Sequence, residues 1–123
     1  MSVRPIPKET IRERLKYKQK WVTTSITDIF DSDVSENKFR HIVKVIICGD
    51  GQADRTLTLY KKKEDGSYEV IIENLHVAAP EVKEIPQGVY DIEDPIITLE
   101  GGTNLAGKVS GNSLSVTAIY WDA

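Results

Sequence analysis

Two histidines, His41 and His76, are the residues of this chain best suited to acid–base or nucleophilic chemistry. Serine is plentiful, so the chain contains the residue types needed for a hydrolytic triad around either imidazole ring. His41, however, opens the apolar run HIVKVIIC, His76 follows Leu75 in another strand-like run, and no Gly-x-Ser-x-Gly turn is present. This pattern favours structural or surface roles for both histidines and predicts no catalytic residue.

Acidic residues cluster in two loops and could offer oxygen ligands to a hard cation such as Ca²⁺. These residues are Asp28, Asp31, Asp33 and Glu36 in the first cluster and Asp50 and Asp54 in the second. A complete calcium loop with a central Gly and a terminal Glu is absent, and Asp, Asn and Ser are also the residues of ordinary turns. We therefore favour turns and expect no metal site.

The glycines and the single cysteine argue against other bound groups. Glycines cluster at 49–51, 100–103 and 110–112, but none of these segments opens a helix after a buried strand, as phosphate-binding loops do. Cys48 is alone, which excludes an internal disulfide and a multi-cysteine metal site, and its apolar neighbours predict a buried, inert thiol. We expect no cofactor.

Charge is distributed unevenly along the chain. The first 20 residues contain seven basic and two acidic residues, whereas the remainder contains nine basic and seventeen acidic ones. A cationic segment on an anionic body could bind another copy or an external polyanion. Tyr17 and Trp21 could stack on bases, but the acidic body argues against a nucleic-acid groove. The predicted partner-binding residues are Arg12, Arg14, Lys16, Lys18, Lys20, Trp21 and Trp121.

The elements that position these residues begin with the basic segment. Pro5 keeps the start extended, Pro7 suits the first turn of a helix, and Ile11 and Leu15 follow at helical spacing. The same segment also alternates from Leu15 to Trp21, which would extend a strand. We prefer a basic arm or short helix over residues 1–20, followed by a domain over residues 21–123 whose first strand begins near Trp21.

Short strand-like segments fill the rest of the chain. Asp65-Gly66 favours a hairpin between RTLTLYKK and SYEVIIENLHVA, and Pro80, Pro86 and Pro95 confine their segments to strand starts or sheet edges. The last two strands alternate, with an apolar side made of Leu99, Leu105, Val109, Leu114, Val116, Ala118 and Tyr120. About seven to nine short strands predict a single all-β domain, an antiparallel β-sandwich or jelly roll.

The two tryptophans lie near the ends of the predicted domain. Trp21 starts the first strand and Trp121 ends the last, so both indoles would lie near one rim if these strands are neighbours. Packing under the basic arm, a subunit interface and a sugar-binding platform all remain open for this pair.

The segment order from Trp21 onward resembles that of small β-sandwich virion proteins of tailed phages. The comparable segments are WVTTSITDIF, RTLTLYKK with YEVIIENLHVA, and ITLEGGTNLAGKVSGNSLSVTAIYW. The resemblance implies a capsid decoration or tail-associated subunit, commonly oligomeric and without a cofactor. The basic arm and the Trp-Asp-Ala terminus depart from the pattern.

We therefore expect a non-enzymatic structural protein, a homo-oligomer that binds a larger protein assembly such as a capsid or tail. No apolar run approaches the ~20 residues that cross a bilayer, and the N-terminus is charged where a secretory signal is apolar. The expected location is the virion after synthesis in the host cytoplasm, or else the cytoplasm itself. A carbohydrate-binding module is the main alternative, and a small enzyme using His41 or His76 is another.

Overall fold

Nine strands and one short helix form the described part of the chain, residues 6–49, 53–78 and 81–123 of a computed structural model. The expectations for Pro5, Asp50, Gly51 and Pro80 fall outside these residues. In chain order the elements are α1 (Lys8–Arg14), β1 (Lys16–Val22), β2 (Thr27–Asp28), β3 (Phe39–Cys48), β4 (Arg55–Lys62), β5 (Tyr68–Val77), β6 (Val82–Ile85), β7 (Ile97–Glu100), β8 (Asn104–Val109) and β9 (Leu114–Asp122).

The strands form two antiparallel sheets. One sheet has the order β1-β9-β3-β6, with β7 also paired to β3, and the other has the order β2-β8-β4-β5. Strands from the two ends of the chain are nested: β1 pairs with β9, β2 with β8, β3 with β6 and β4 with β5. The predicted all-β antiparallel sandwich is confirmed.

The core lies between the two sheets and follows the alternation of the strands. On β4, Leu57 and Leu59 are fully buried, while Thr56, Thr58 and Tyr60 are more exposed. Six of the seven predicted apolar residues of the last strands join this core, and the seventh packs against it: Leu99, Leu105, Val109, Leu114, Val116, Ala118 and Tyr120. Burial of one face of each strand therefore fixes the registers.

The predicted β4–β5 hairpin is confirmed. Gly66 has φ +87°, which a residue with a Cβ rarely adopts, and its N–H donates to the carbonyl of Lys63 over 2.9 Å. The Asp65 carboxylate accepts hydrogen bonds from the backbone N–H and the hydroxyl of Ser67. Both residues of the Asp-Gly pair therefore contribute to closing the turn.

Two expectations need correction. The first strand begins at Lys16 rather than near Trp21, because Lys16 to Val22 pair continuously with β9, which satisfies the backbone groups on that side of the strand. The division into an arm at 1–20 and a domain at 21–123 stays a prediction, although β1 crosses position 20 without a break. Cys48 is half-buried rather than buried, because it lies at the end of β3 on the side of the sheet away from the core.

No helix among the described residues is long and apolar enough to cross a membrane.

The helix α1 is seven residues long and begins after Pro7, whose carbonyl accepts a hydrogen bond from the N–H of Ile11 over 3.1 Å. Glu9 in the first turn and Arg12 and Arg14 in the last turn complement the helix dipole. Two of the three basic residues of the helix thus lie at its C-terminal end, and Lys8 lies at its start.

Candidate functional site

The seven predicted partner-binding residues occupy three different environments. Arg12 and Arg14 are exposed on α1. Lys16, Lys18, Lys20 and Trp21 follow one another along β1, at the edge of the five-stranded sheet. Trp121 is buried under α1. Their binding role stays a prediction, but the structure separates surface residues from a core residue.

Trp121 belongs to a second apolar cluster on the outer face of the five-stranded sheet. It is only 6% exposed and packs with Ile11 of α1, Val43 of β3 and Ile92. The His41 ring lies 4.5 Å from the indole, centroid to centroid. The indole Nε1 has no hydrogen-bond partner among the residues that the structure describes. Trp121 therefore packs against the helix with almost all of its side chain buried, and a role in partner binding stays a prediction.

The two tryptophans do not share a rim, contrary to the sequence-based expectation. Trp21 lies opposite Ser115 in the β1–β9 register, and Trp121 lies six positions further along β9. At about 3.4 Å per residue, the two positions are roughly 20 Å apart along the strand. Because β1 and β9 are antiparallel, the start of β1 rather than its end lies beside Trp121.

The edge strand β1 alternates basic and aromatic residues. Lys16, Lys18 and Lys20 share one side of the strand with Val22, whereas Tyr17, Gln19 and Trp21 point to the outer face. Tyr17 is 78% exposed and Trp21 is 51% exposed. Large exposed aromatic side chains are typical of interaction surfaces. We name Lys16, Tyr17, Lys18, Lys20 and Trp21 the β1 surface.

The lysines of the β1 surface lie beside an exposed aspartate. Lys18 Nζ lies 2.8 Å from an oxygen of Asp31, and Lys20 Nζ lies 3.8 Å from the other oxygen. The hydrogen bond from Lys18 lowers the pKa of Asp31. Lys16 has no ion-pair partner among the described residues. Lysines on an edge strand also discourage uncontrolled strand pairing, so they can restrict as well as promote association.

A cationic cleft lies beside the end of β9 and was not predicted. Arg14, Lys38 and Arg40 line it together with Asp122. Arg40 donates to both carboxylate oxygens of Asp122, at 2.8 and 3.1 Å, and this raises the pKa of Arg40. The Arg40 guanidinium also lies 4.4 Å from the ring centroid of Phe30. Arg40 and Asp122 are 82 positions apart, so no local sequence signal could have revealed the pair.

A second exposed apolar surface, also missed by the sequence reasoning, lies on β5. Tyr68, Val70 and Ile71 are exposed there, beside Glu69 and Glu73. β5 is the outermost strand of the four-stranded sheet. The signal available in the sequence was the run Val70-Ile71-Ile72, which is too apolar for a strand with one exposed face. We name Tyr68, Glu69, Val70, Ile71 and Glu73 the β5 surface.

The histidines are apart from each other. His41 Nδ1 lies 3.0 Å from the Thr98 hydroxyl, and its ring packs between Phe39 and Trp121. Burial lowers the pKa of His41. His76 is exposed on β5, with Nε2 3.5 Å from Asp54. The first histidine is therefore a packing residue and the second is a surface residue.

Three of the carboxylates considered as calcium ligands, those of Asp28, Asp31 and Asp33, contact lysines. Lys62 Nζ lies 3.2 Å from Asp28 and 3.7 Å from Asp33. The hydrogen bond to Asp28 raises the pKa of Lys62. Across residues 6–49, 53–78 and 81–123, no group of three or more His, Cys, Asp or Glu side chains is arranged to hold a metal ion. The aspartates of this loop thus form ion pairs within the chain.

No protein-family model matches this chain, and no curated protein matches it. Two solved structures are similar in fold, both described as pentameric capsid proteins isolated from metagenomic phage sequences. The first has a TM-score of 0.45 and 10% sequence identity, over 94% of this chain and 67% of that one. The second, solved by iodide phasing, has a TM-score of 0.42 and 10% identity, over 98% of this chain and 79% of that one. The decoration or tail-associated role expected from the sequence stays a prediction.

Proposed function

We propose that this chain is a non-enzymatic structural protein that associates with copies of itself and thereby becomes part of a larger assembly. The observation that carries the proposal is the β1 surface, where Tyr17 and Trp21 are exposed beside a row of lysines. Exposing two large aromatic side chains to water is unfavourable, and a subunit contact would remove that cost. Arg12 and Arg14 extend the same basic region onto α1.

The strand order supports the same proposal. We propose that the nested pairs, from β1 with β9 inward to β4 with β5, form a jelly roll. Jelly rolls serve in viral capsid domains and in lectins, so the fold is compatible with an assembly role without requiring it. The resemblance of the segments from Trp21 onward to phage virion proteins leads us to propose a viral particle as the assembly, with the virion as the location. We propose attachment as a decoration or tail-associated subunit.

Self-association is tested by measuring mass against concentration, with light scattering on the full chain. The double variant Tyr17→Ser/Trp21→Ser should remain monomeric at concentrations where the wild type associates, with an unchanged circular dichroism spectrum. Val89→Ser is the matched control, because Val89 is 96% exposed in a different region and should not affect association. A wild type that stays monomeric at every concentration and salt would contradict the proposal.

A carbohydrate-binding role is the second candidate, and a specific surface favours it. On the outer face of the four-stranded sheet, a shallow depression is lined by hydroxyl and amide groups and by Tyr60, whose ring lies 5.8 Å from that of Tyr68. Aromatic faces beside hydrogen-bonding groups suit sugar rings. Glycan binding that Tyr60→Ala abolishes while the fold is kept would favour this role over self-association.

A further inference from the structure

The sandwich has two lateral sides, and the two exposed apolar surfaces lie on opposite ones. β1 lies over β8, since a Cβ placed on Gly107 would meet the Val22 side chain at 3.2 Å. β1 and β2 are thus on one side, and each is the first strand of its sheet order. β5 and β6 end the two orders on the other side. The β1 surface and the β5 surface consequently face away from each other.

The two surfaces carry opposite charge. The β1 surface has three lysines beside Asp31, and the nearby Asp28 and Asp33 already contact Lys62. The hairpin and strand from residue 63 to residue 77 contain four acidic residues and one lysine. Glu69 and Glu73 have no ion-pair partner among the described residues, because Lys61, which faces Glu69 across the sheet, contacts Glu100. These two glutamates are thus left without an ion pair, with Lys108 lining the same depression as Glu73.

The two surfaces also match in their apolar parts. Along β1, Tyr17 and Trp21 alternate with the lysines, and along β5 the exposed Tyr68, Val70 and Ile71 are interspersed with the glutamates. A contact between one β1 surface and another would place lysines against lysines, and a contact between two β5 surfaces would place glutamates against glutamates. Only the pairing of unlike surfaces combines apolar burial with charge attraction.

We propose that the β1 surface of one copy binds the β5 surface of the next copy, head to tail. This inference rests on the proposed self-association and adds which surfaces meet. A contact between unlike surfaces is repeated by every copy, so it closes into a ring or continues as a filament. The registers of β4 and β5 shift at two places, between Leu57 and Leu59 and between Leu59 and Tyr60. Side-chain packing, rather than continuous strand addition, is therefore the form of the contact.

Charge reversal on each side, followed by mixing, tests the pairing. Lys16→Glu/Lys20→Glu makes both sides acidic, and Glu69→Lys/Glu73→Lys makes both sides basic. Each variant alone should associate about tenfold or more weakly than the wild type, because like charges now meet. The equimolar mixture should associate again, as complexes that contain both variants by native mass spectrometry.

Matched controls separate the contact from the general effect of charge. Lys38→Glu and Glu36→Lys make the same changes at exposed positions outside both surfaces and should leave association unchanged. Thermal unfolding of each variant verifies the fold. If a reversed variant is destabilised, the neutral changes Lys16→Gln and Glu69→Gln replace it, and each should weaken association and reduce its dependence on salt.

The possible results distinguish the head-to-tail pairing from the proposed self-association on which it rests. If the wild type associates but Glu69→Lys/Glu73→Lys does so equally well, or if the mixture fails to form complexes that contain both variants, the head-to-tail pairing is wrong and self-association stands. If the wild type never associates, both are wrong. The pairing is supported only if the two variants associate when they are mixed and each variant by itself does not.

Discussion

Trp21 and Trp121 lie on the same outer face of the five-stranded sheet, yet one is 51% exposed and the other 6%. The difference comes from α1 and the segment that contains Ile92, which pack Ile11 and Ile92 against Trp121 and leave the other end of the sheet uncovered. The covered end of this face has become a small second core. The uncovered end has kept an indole and a phenol in water, at Trp21 and Tyr17.

The sandwich fold does not force aromatic residues on the outer face of a sheet to be exposed. In this chain the helix α1 packs over one of them, Trp121, and buries it. The residues that remain uncovered are next to charged side chains on an edge strand. This contrast supports a contact surface at β1 and assigns a stabilising role to Trp121.

The largest expected effect on folding follows from Trp121→Ala. Removing a nearly buried indole leaves a cavity under α1 and should lower the free energy of unfolding by about 3–5 kcal/mol. Urea unfolding followed by circular dichroism measures the change. A loss close to zero would contradict the assignment of Trp121 to a core.

Ile11→Ala should have the next largest effect, about 2 kcal/mol or more, because Ile11 is the buried residue of the helix. The change should also loosen α1 and shift the fluorescence emission of Trp121 to longer wavelength, measured in a Trp21→Phe background. Glu13→Ala, which alters an exposed position on the same helix, is the control. Unshifted emission would mean that α1 does not cover Trp121.

A smaller, pH-dependent effect is expected at the covered end. Burial lowers the pKa of His41 in the folded protein, so below about pH 6.5 the unfolded chain binds the proton more readily. Stability is therefore complete above the unfolded pKa and should decrease as pH falls from about 7 to about 5. His41→Gln should reduce this decrease, measured as the urea midpoint at each pH. If the urea midpoints of the wild type and of His41→Gln change with pH in the same way, the burial of His41 is contradicted.

Trp21→Ala should change stability least, by less than about 1 kcal/mol, because half of this side chain is already in water. In contrast, Trp21→Ala should have a large effect on association and weaken it, because the lost indole belongs to the proposed contact. Unfolding at low protein concentration and light scattering at high concentration separate the two effects. A large loss of stability with unchanged association would invert the roles of the two tryptophans.

The strands were predictable because their signals are local. Alternation identified Leu114, Val116 and Ala118 as core residues, and Asp65-Gly66 marked the hairpin. The start of β1 was misplaced because the same residues fit both a helix and a strand, and only pairing with β9 decides between them. The local sequence pattern is compatible with both conformations, and the tertiary contacts with β9 stabilise the strand.

The candidate site was predictable only in part. The basic residues were visible in the sequence, but the burial of Trp121 depends on Ile11, 110 positions earlier, and on Val43 and Ile92. The acidic β5 surface was missed because its exposure follows from the position of β5 at the end of a sheet. Strand order is a property of the whole chain, and no spacing of residues encodes it.

The central claim, that the β1 surface is covered by another copy, is tested most directly at Trp21 itself. The chain has two tryptophans, so Trp121→Phe leaves Trp21 as the single indole. Acrylamide quenching of its fluorescence should be strong in the dilute monomer and should fall as concentration raises the mass measured in the same samples. Quenching that stays constant while the mass increases would show that association leaves Trp21 uncovered and would contradict the account.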